Sequence, residues 1–490
     1  MTRPALPSLA TLAVKSAAWY GATRLWGQLL SWGVTILLAR LLVPADYGLF
    51  AVALSVLAVL ELLQEFGLGT AIVQRQTVTR QQINAVFWVV AATSLLLTAA
   101  TFVAAGAIAN LYADPRLAWT LRVLCLTFLL NSLGVVPYSL LTKAVDLRHR
   151  SLADAFGGTA SALIALSLAY LDYGVWALVL GHLARALILN SALFLFARWV
   201  PGLDAAFHEM GAIFGFGLRI AGSHLAGSSA GALSTFILAR VLGGTAVGLY
   251  SMAQSLTEAP HRLSTAIISQ VSLPVFSKLQ HDRQLLAAYF MKISKYLAAV
   301  SFPLQVGLFL VAPDLVPVVL SPKWDAIVVP FQIFCLESVV ILSTLTCSPL
   351  LAARGRAKLL FNRSFLGFVW LAGSALVGAP FGLVGVAAAR LITIIPVRLT
   401  LLGPTLRELG LSFPTYAKGI GSPLAATAIM AGVVLVTRQV WSLPAGHLES
   451  LVGSVVAGAA GYGTALFLLD RSFGSEIRTV ARGLFSASGA

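Results

Sequence analysis

Residues 36–56 read ILLARLLVPADYGLFAVALSV, and residues 236–256 read FILARVLGGTAVGLYSMAQSL. The second stretch repeats the first at an offset of 200 without a gap, and 8 of its 21 positions are identical. The identical positions are Leu38, Ala39, Arg40, Leu42, Gly48, Leu49, Ala53 and Ser55. Chance similarity is the alternative, because Leu and Ala are common in apolar segments. A gapless match that includes an arginine, a glycine and an aromatic position favours an internal repeat.

The composition around this repeat is that of a membrane protein. Of the 490 residues, 58% are hydrophobic and 10% are charged, and the mean hydropathy is +0.89. Soluble domains carry about 25% charged residues. The net charge is +15, but the basic residues lie in short gaps between apolar runs, so we expect no nucleic-acid partner. Three cysteines without metal-ligand spacing predict packing residues, and we expect no cofactor and no metal site.

About fourteen apolar runs are long enough to cross a membrane as helices, which takes ~20 residues each. The predicted spans are 20–40, 48–72, 85–110, 120–142, 152–171, 175–197, 212–239, 246–274, 295–313, 326–351, 362–379, 382–402, 418–437 and 450–469. Runs this long and continuous favour helices over barrel strands. The predicted fold class is therefore an all-α polytopic membrane protein with about 14 transmembrane helices.

The distribution of Lys and Arg predicts the orientation of these helices. With the N-terminus placed in the cytoplasm, 22 basic residues fall in inner segments, Arg398 among them, and 5 fall in outer segments. Basic residues accumulate on the cytoplasmic side of membrane proteins, so both termini are expected inside.

Six spans separate residue 38 from residue 238, so the two copies of the repeat point the same way across the membrane. Parallel repeats are typical of two-lobed secondary transporters, whose site lies between the lobes. We therefore predict two pseudo-symmetric six-helix lobes at residues 1–200 and 201–405. The last two helices and a cytoplasmic tail, residues 406–490, have no counterpart and are expected as an appendage.

Arginines occur inside the predicted spans, where each costs ~2.5–3.5 kcal/mol at a helix centre. They are Arg24, Arg122, Arg185, Arg219, Arg262 and Arg390. Each either reaches an interface or pairs with an acid for structural reasons, or it faces a polar lumen. The guanidinium fork matches phosphate oxygens, so the second alternative predicts a diphosphate-binding lumen made of these arginines and His261.

Carboxylates also occur inside the predicted spans. Glu61 and Glu65 lie four residues apart and share one helix face, while Glu258 lies near Arg262. A carboxylate pair in hydrocarbon predicts a site for a coupling proton or sodium ion. Pairing with arginines of neighbouring helices is the alternative.

Three segments carry a family resemblance. They are LLARLL at 37–42 with DYGLF at 46–50 and EFGLGTAIVQR at 65–75, YGVWAL at 173–178, and LPVFSKLQ at 273–280. Together they resemble the Wzx-type polysaccharide exporters of the multidrug/oligosaccharidyl-lipid/polysaccharide (MOP) flippase superfamily. The resemblance covers about residues 15–420, and its opening motif is the most specific part.

The resemblance implies two six-helix lobes that form a V, with two further helices in some members. It implies a flippase that moves undecaprenyl-diphosphate-linked oligosaccharide repeat units to the outer leaflet of the bacterial cytoplasmic (inner) membrane, for exopolysaccharide, O-antigen or capsule export. It also implies a polysaccharide polymerase or co-polymerase as a partner, besides membrane lipid. In the lipid II branch of the superfamily, lumen arginines of the first span and its neighbours hold the diphosphate, and the resemblance makes Arg24 the matching type of residue here. Its repeat mate is His224, so a symmetric clamp is not expected.

Two other functions fit parts of the sequence. A multidrug or cation antiporter of the same superfamily would need an acidic lumen, and the predicted one is basic. A membrane glycan polymerase or ligase would need a large outer loop with catalytic groups, and the outer loops here are short. The sequence therefore favours a secondary transporter over an enzyme.

Overall fold

The computed structural model describes residues 27–28, 30–75, 77–207, 211, 230–441 and 447–470. Regular structure in these residues is helical throughout. The α-helices in chain order are α1 (Leu30–Leu41), α2 (Pro44–Glu65), α3 (Leu68–Gln74), α4 (Arg80–Tyr112), α5 (Arg116–Leu124), α6 (Leu126–Lys143), α7 (Leu147–Tyr170), α8 (Val175–Ala197), α9 (Ala230–Leu242), α10 (Gly244–Leu279), α11 (Arg283–Val319), α12 (Val328–Ser343), α13 (Cys347–Ala353), α14 (Ala357–Gly378), α15 (Gly382–Leu409), α16 (Phe413–Gly419), α17 (Gly421–Trp441) and α18 (His447–Leu469). Two short 3-10 helices lie at Pro322–Ile327 and Ala379–Phe381.

Ten segments of the described chain are long and apolar enough to cross a membrane, and one of them, Lys358–Leu409, contains α15 and all but the first residue of α14. This confirms the predicted class, an all-α multi-pass membrane protein. The count of fourteen spans stays a prediction, because most of the predicted span 212–239 lies outside the described residues.

Polar side chains set the starts of several long helices. The Thr79 hydroxyl accepts from the Gln82 amide at 3.2 Å, and the Gln82 side chain accepts in return from the Thr79 amide at 3.1 Å. Asp146 accepts from His149 N at 3.1 Å, and Asp282 accepts from Leu285 N at 2.9 Å. Such caps satisfy amides that lack a partner within the helix and contribute ~0.5–2 kcal/mol each. The capped ends fall in the polar gaps of the sequence.

The chain divides into two compact units, unit 1 (Met1–Gly248) and unit 2 (Leu249–Ala490). The predicted lobe boundaries at residues 200 and 405 stay predictions. Within unit 2, α17 and α18 pack on α11. Arg438 pairs with Asp314 at 2.9 Å, and the Tyr462 hydroxyl donates to Ala299 O at 2.6 Å. The helices that the sequence marks as an appendage are thus joined to α11 by polar contacts.

The repeated motif forms a close helix crossing inside unit 1. A Cβ on Gly48 would lie 1.8 Å from Gly244 O, and a Cβ on Gly248 would lie 1.9 Å from Pro44 O. Gly48 and Gly248 are repeat mates, and so are Pro44 and Gly244. The two contacts are therefore equivalent under the repeat. Only glycine permits so close an approach of the two backbones, which explains why this residue recurs at both copies of the motif.

Candidate functional site

A cavity of about 510 Å3 opens within unit 1, between α2, α3, α6 and α8. Six of its polar lining residues are Glu61, Gln64, Glu65, Asn131, Tyr138 and Asn190. Among the described residues that line it, two are acidic and none is basic. We call it the acidic cavity.

Buried amides form part of the wall of the acidic cavity. Gln64 is 4% exposed and donates from Nε2 to Phe128 O at 2.8 Å. Asn190 is 5% exposed and donates from Nδ2 to Ala186 O at 2.7 Å and to Asn131 Oδ1 at 3.1 Å. These hydrogen bonds fix both amides and leave their carbonyl oxygens as acceptors at the cavity wall.

The carboxylates of the acidic cavity differ in their contacts. Glu65 is half-buried, and its Oε1 accepts from Gly69 N at 3.1 Å. Glu61 is exposed, and no described residue forms an ion pair with it. Both side chains face one cavity, as their spacing of four residues predicts.

A second cavity, of about 290 Å3, lies within unit 2 between α10, α12 and α15. Its charged and titratable lining residues are Glu258, His261, Arg262, Glu337, Arg390 and Arg398. With three arginines against two glutamates, this cavity carries an excess of positive charge. We call it the arginine cavity.

Arg390 is neutralised inside the arginine cavity. Its Nε donates to Glu337 Oε1 at 2.8 Å, and its Nη1 donates to the Tyr250 hydroxyl at 2.6 Å. The guanidinium also lies over the Phe334 ring, 5.4 Å from its centroid. The Glu337 side chain is 4% exposed, so both charges are largely removed from water and each depends on the other.

Arg398 supplies the unmatched charge. Among the described residues it forms no ion pair, and its buried Nε has no hydrogen-bond partner. Arg262, by contrast, pairs with Glu258 at 3.1 Å, and the two side chains are 63% and 55% exposed. The charge pattern of the sequence groups Arg398 with the inner-loop cations. The structure places Arg398 on α15, inside the predicted span 382–402 and at the wall of the arginine cavity, and its inner-side location stays a prediction.

The two cavities occupy equivalent positions of the internal repeat. In unit 2, Tyr250 contacts Arg390; in unit 1, Phe50 packs edge-on against His182, with ring centroids 6.0 Å apart. Phe50 and Tyr250 are repeat mates at the offset of 200. Their contact partners, His182 and Arg390, are therefore matched as repeat mates too, and they lie 208 positions apart. The contacts in the two units thus give one consistent register for α8 and α15.

A sequence signal for this second offset exists, and our sequence analysis missed it. Tyr173-Gly174 directly precedes α8, Phe381 precedes α15 and Gly382 is its first residue, and the two glycines have positive φ angles of 54° and 74°. The offset of 208 makes Asn190 the mate of Arg398, and the offset of 200 makes Glu61 the mate of His261. An amide and an acid in one unit are therefore replaced by two basic residues in the other.

The remaining predicted lumen residues lie elsewhere or outside the described chain. Arg122 lies over the Trp119 and Phe102 rings, 4.9 and 5.4 Å from their centroids, and Arg185 pairs with Asp154 at 3.6 Å. Neither lines one of the two cavities. Arg24 and Arg219 lie outside the described residues, so the structure brings together only Arg262, Arg390 and His261 from the predicted set.

Comparisons with known proteins support the family resemblance found in the sequence. A family model described as "Polysaccharide biosynthesis protein" matches residues 37–329. The chain is 26% identical over 453 residues to the succinoglycan biosynthesis transport protein ExoT of Rhizobium meliloti (strain 1021), with 91% of each chain covered. It is 25% identical over 362 residues to the lipopolysaccharide biosynthesis protein WzxC of Escherichia coli (strain K12), with 72% of this chain and 73% of that protein covered.

A solved structure of the lipid II flippase MurJ, in an inward closed conformation, is similar to this chain with a TM-score of 0.76. The alignment covers 93% of this chain and 99% of that one at 14% identity, so the likeness shows a shared fold alone. The relative ExoT is a transport protein, which confirms the sequence prediction of a transporter rather than an enzyme.

Proposed function

We propose that this chain flips undecaprenyl-diphosphate-linked oligosaccharide repeat units across the bacterial cytoplasmic membrane. The chain belongs to the polysaccharide biosynthesis protein family, within the MOP flippase superfamily that its sequence resembles. Movement runs from the inner to the outer leaflet by alternating access. The succinoglycan and lipopolysaccharide biosynthesis relatives support the substrate class.

The physical problem is the polar head of this substrate. A glycan diphosphate does not cross hydrocarbon unaided, because its hydroxyls lose their water partners and its charges lose their hydration. The isoprenoid tail stays in lipid while the head moves along polar side chains. A protein that provides this route needs a cationic surface for the diphosphate.

The observation that carries the proposal is the unmatched guanidinium of Arg398 in the arginine cavity. A half-buried cation that pairs with no carboxylate of the described chain favours an anionic ligand, and guanidinium binds phosphate oxygens through two parallel hydrogen bonds. Arg262 and His261 line the same cavity and add donors. Arg390, held by Glu337, positions the wall and leaves little charge for the ligand.

The membrane potential is the proposed driving force. Moving one negative charge outward in an inside-negative cell releases ~2.3 kcal/mol per 100 mV, and a diphosphate carries more than one charge. The excess of basic residues in inner segments supports cytoplasmic termini and hence this direction. Coupling to a proton or sodium ion through Glu61 and Glu65 stays the alternative, and Glu258, paired with Arg262, is a less suitable ion ligand.

Delivery to the outer leaflet also predicts a downstream partner. Repeat units that arrive there are monomers for polymer growth, so a polysaccharide polymerase or co-polymerase is the expected consumer.

The test of the proposed function is net movement of fluorescent lipid-linked oligosaccharide in proteoliposomes with a clamped potential and no ion gradient. Wild type should move the substrate, Arg398→Ala should slow it by at least about tenfold, and Arg398→Lys should retain part of the rate, because one charge-assisted hydrogen bond contributes ~1.5–3 kcal/mol. The matched control is Arg116→Ala, which removes an arginine that pairs with Asp114 at 3.0 Å and lines neither cavity.

Two results would count against these assignments. Unchanged movement in Arg398→Ala would remove the phosphate site. If movement required a proton or sodium gradient at constant potential, that gradient would be the driving force, with the ion bound at Glu61 and Glu65.

A further inference from the structure

Resting on the proposed function, we propose that the acidic cavity of unit 1 binds the uncharged sugar residues of the substrate through their hydroxyl groups. The proposal adds a glycan subsite in a different part of the chain from the phosphate site. It stands on the buried acceptors, the volume and the charge of this cavity.

The first support is a set of acceptors without partners. Gln64 and Asn190 are each more than nine-tenths buried, and each uses its amide nitrogen on a backbone carbonyl. Their carbonyl oxygens accept no hydrogen bond from the described residues, although both side chains line the cavity. Neither oxygen is among the fully buried unpaired atoms of the described chain, so both are accessible from the cavity, and an acceptor left without a protein donor favours a ligand that brings one.

The second support is that the backbone makes room for these polar groups. A Cβ on Gly134 would lie 1.7 Å from Asn190 Oδ1, and a Cβ on Gly69 would lie 2.2 Å from Glu65 Oε1. Glycine at these two positions lets a carboxylate and an amide reach the cavity wall from neighbouring helices. The wall is thus shaped for polar side chains at both places.

The third support is chemical. Ionised carboxylates only accept hydrogen bonds, while the Asn131 amide and the Tyr138 hydroxyl also donate. Sugar hydroxyls both donate and accept, so they match this mixture. A phosphate offers only acceptors and negative charge, and Glu61 and Glu65 repel it.

The volume of the acidic cavity fits a sugar better than a single ion. Ligand sites for small organic molecules occupy about 300–1,000 Å3, and a cavity of about 510 Å3 falls in that range. A bound metal cation needs oxygen ligands close around it, at about 2.0–2.6 Å for hard cations. The observations therefore favour a hydroxyl-bearing ligand, and an ion at Glu61 and Glu65 is the rival occupant.

The experiment uses the full chain in lipid nanodiscs and a probe without phosphate or lipid. The probe is the oligosaccharide released by mild acid from the lipid-linked precursors of the cells that produce the protein. Binding is measured by calorimetry in sodium chloride and again in N-methylglucamine chloride. Glu61→Ala is the main variant because its side chain is exposed, and Asn131→Ala is the second. Thr464→Ala, on an exposed part of α18, is the matched control.

Wild type, the control variant and Arg398→Ala should bind the probe equally, in both salts. Glu61→Ala and Asn131→Ala should each weaken binding by about tenfold or more, the effect of losing ~1.4 kcal/mol of hydrogen bonding. Glu61→Gln should lose less than Glu61→Ala, because an amide still bonds a hydroxyl.

Absence of probe binding by wild type would overturn the glycan subsite, as would competition by sodium or equal loss in Glu61→Gln and Glu61→Ala. Loss of probe binding in Arg398→Ala would also overturn it. Failure of the proposed function has a separate signature, since unchanged substrate movement in Arg398→Ala is measured in proteoliposomes and does not depend on this probe.

Discussion

The acidic cavity and the arginine cavity are built by corresponding helices, yet their electrostatic character is opposite. Glu61 and Asn190 face the first, and their repeat mates His261 and Arg398 face the second. The repeat therefore specifies backbone and packing, while a few polar positions on the same scaffold specify what each half binds. A shared fold indicates only the scaffold, whereas the charge at these positions indicates the class of substrate.

The difference is sharpest at the pair of Arg390 and Glu337, because no acidic side chain among the described residues of unit 1 pairs with His182, the repeat mate of Arg390. Glu337→Ala should lower the free energy of unfolding by ~3–5 kcal/mol, because it leaves a buried guanidinium unpaired. The measurement is thermal unfolding of the detergent-solubilised protein, followed by tryptophan fluorescence.

The matched variant in unit 1 is His182→Ala, which removes an edge contact with Phe50 of ~0.5–1.5 kcal/mol. The double variant Glu337→Ala/Arg390→Leu should recover much of the loss, since it removes both charges. A Glu337→Ala protein as stable as wild type would show that Arg390 is not buried as described.

A smaller loss is expected from Gly134→Ala in the acidic cavity. The new methyl group would overlap Asn190 Oδ1, and overpacking costs ~1–3 kcal/mol. Thermal unfolding measures this, and the control is Gly106→Ala, where no heavy atom lies within 4 Å of the added Cβ. Equal stability of the two variants would mean that the Asn190 amide moves freely and is no fixed part of the wall.

A weaker effect again is expected from Glu258→Gln in the arginine cavity. The exposed pair with Arg262 contributes ~0.3–0.5 kcal/mol, so its loss should change substrate movement by no more than about threefold. Proteoliposome transport measures this change. A loss as large as that of Arg398→Ala would assign Glu258 a direct role, such as holding a coupling ion.

The smallest effect is expected from Arg185→Ala. Its pair with Asp154 spans 3.6 Å between half-exposed side chains, and such pairs contribute ~0–1 kcal/mol. Transport in proteoliposomes should stay within about twofold of wild type, because one such pair changes little. A larger loss would return Arg185 to the set of lumen arginines that the sequence predicts.

Much of the fold follows from the sequence, because length and apolarity specify membrane helices and caps such as Thr79 set their ends. The site follows only in part. Glu61, Glu65 and Arg262 were found because charge is rare inside a span, whereas Asn190 carries no charge and Arg398, near the end of the predicted span 382–402, was counted with the inner-segment basic residues. Which face an arginine takes on a helix that is apolar all round depends on tertiary packing, and this is why Arg122 and Arg185 lie away from both cavities.

The most direct test of the account is the affinity for undecaprenyl diphosphate without sugar, measured in nanodiscs for wild type, Arg398→Ala and Asn190→Ala. The account predicts that Arg398→Ala weakens binding by at least about tenfold, while Asn190→Ala binds as wild type does. Equal affinity of wild type and Arg398→Ala, or a loss confined to Asn190→Ala, would contradict the assignment of the phosphate to the arginine cavity.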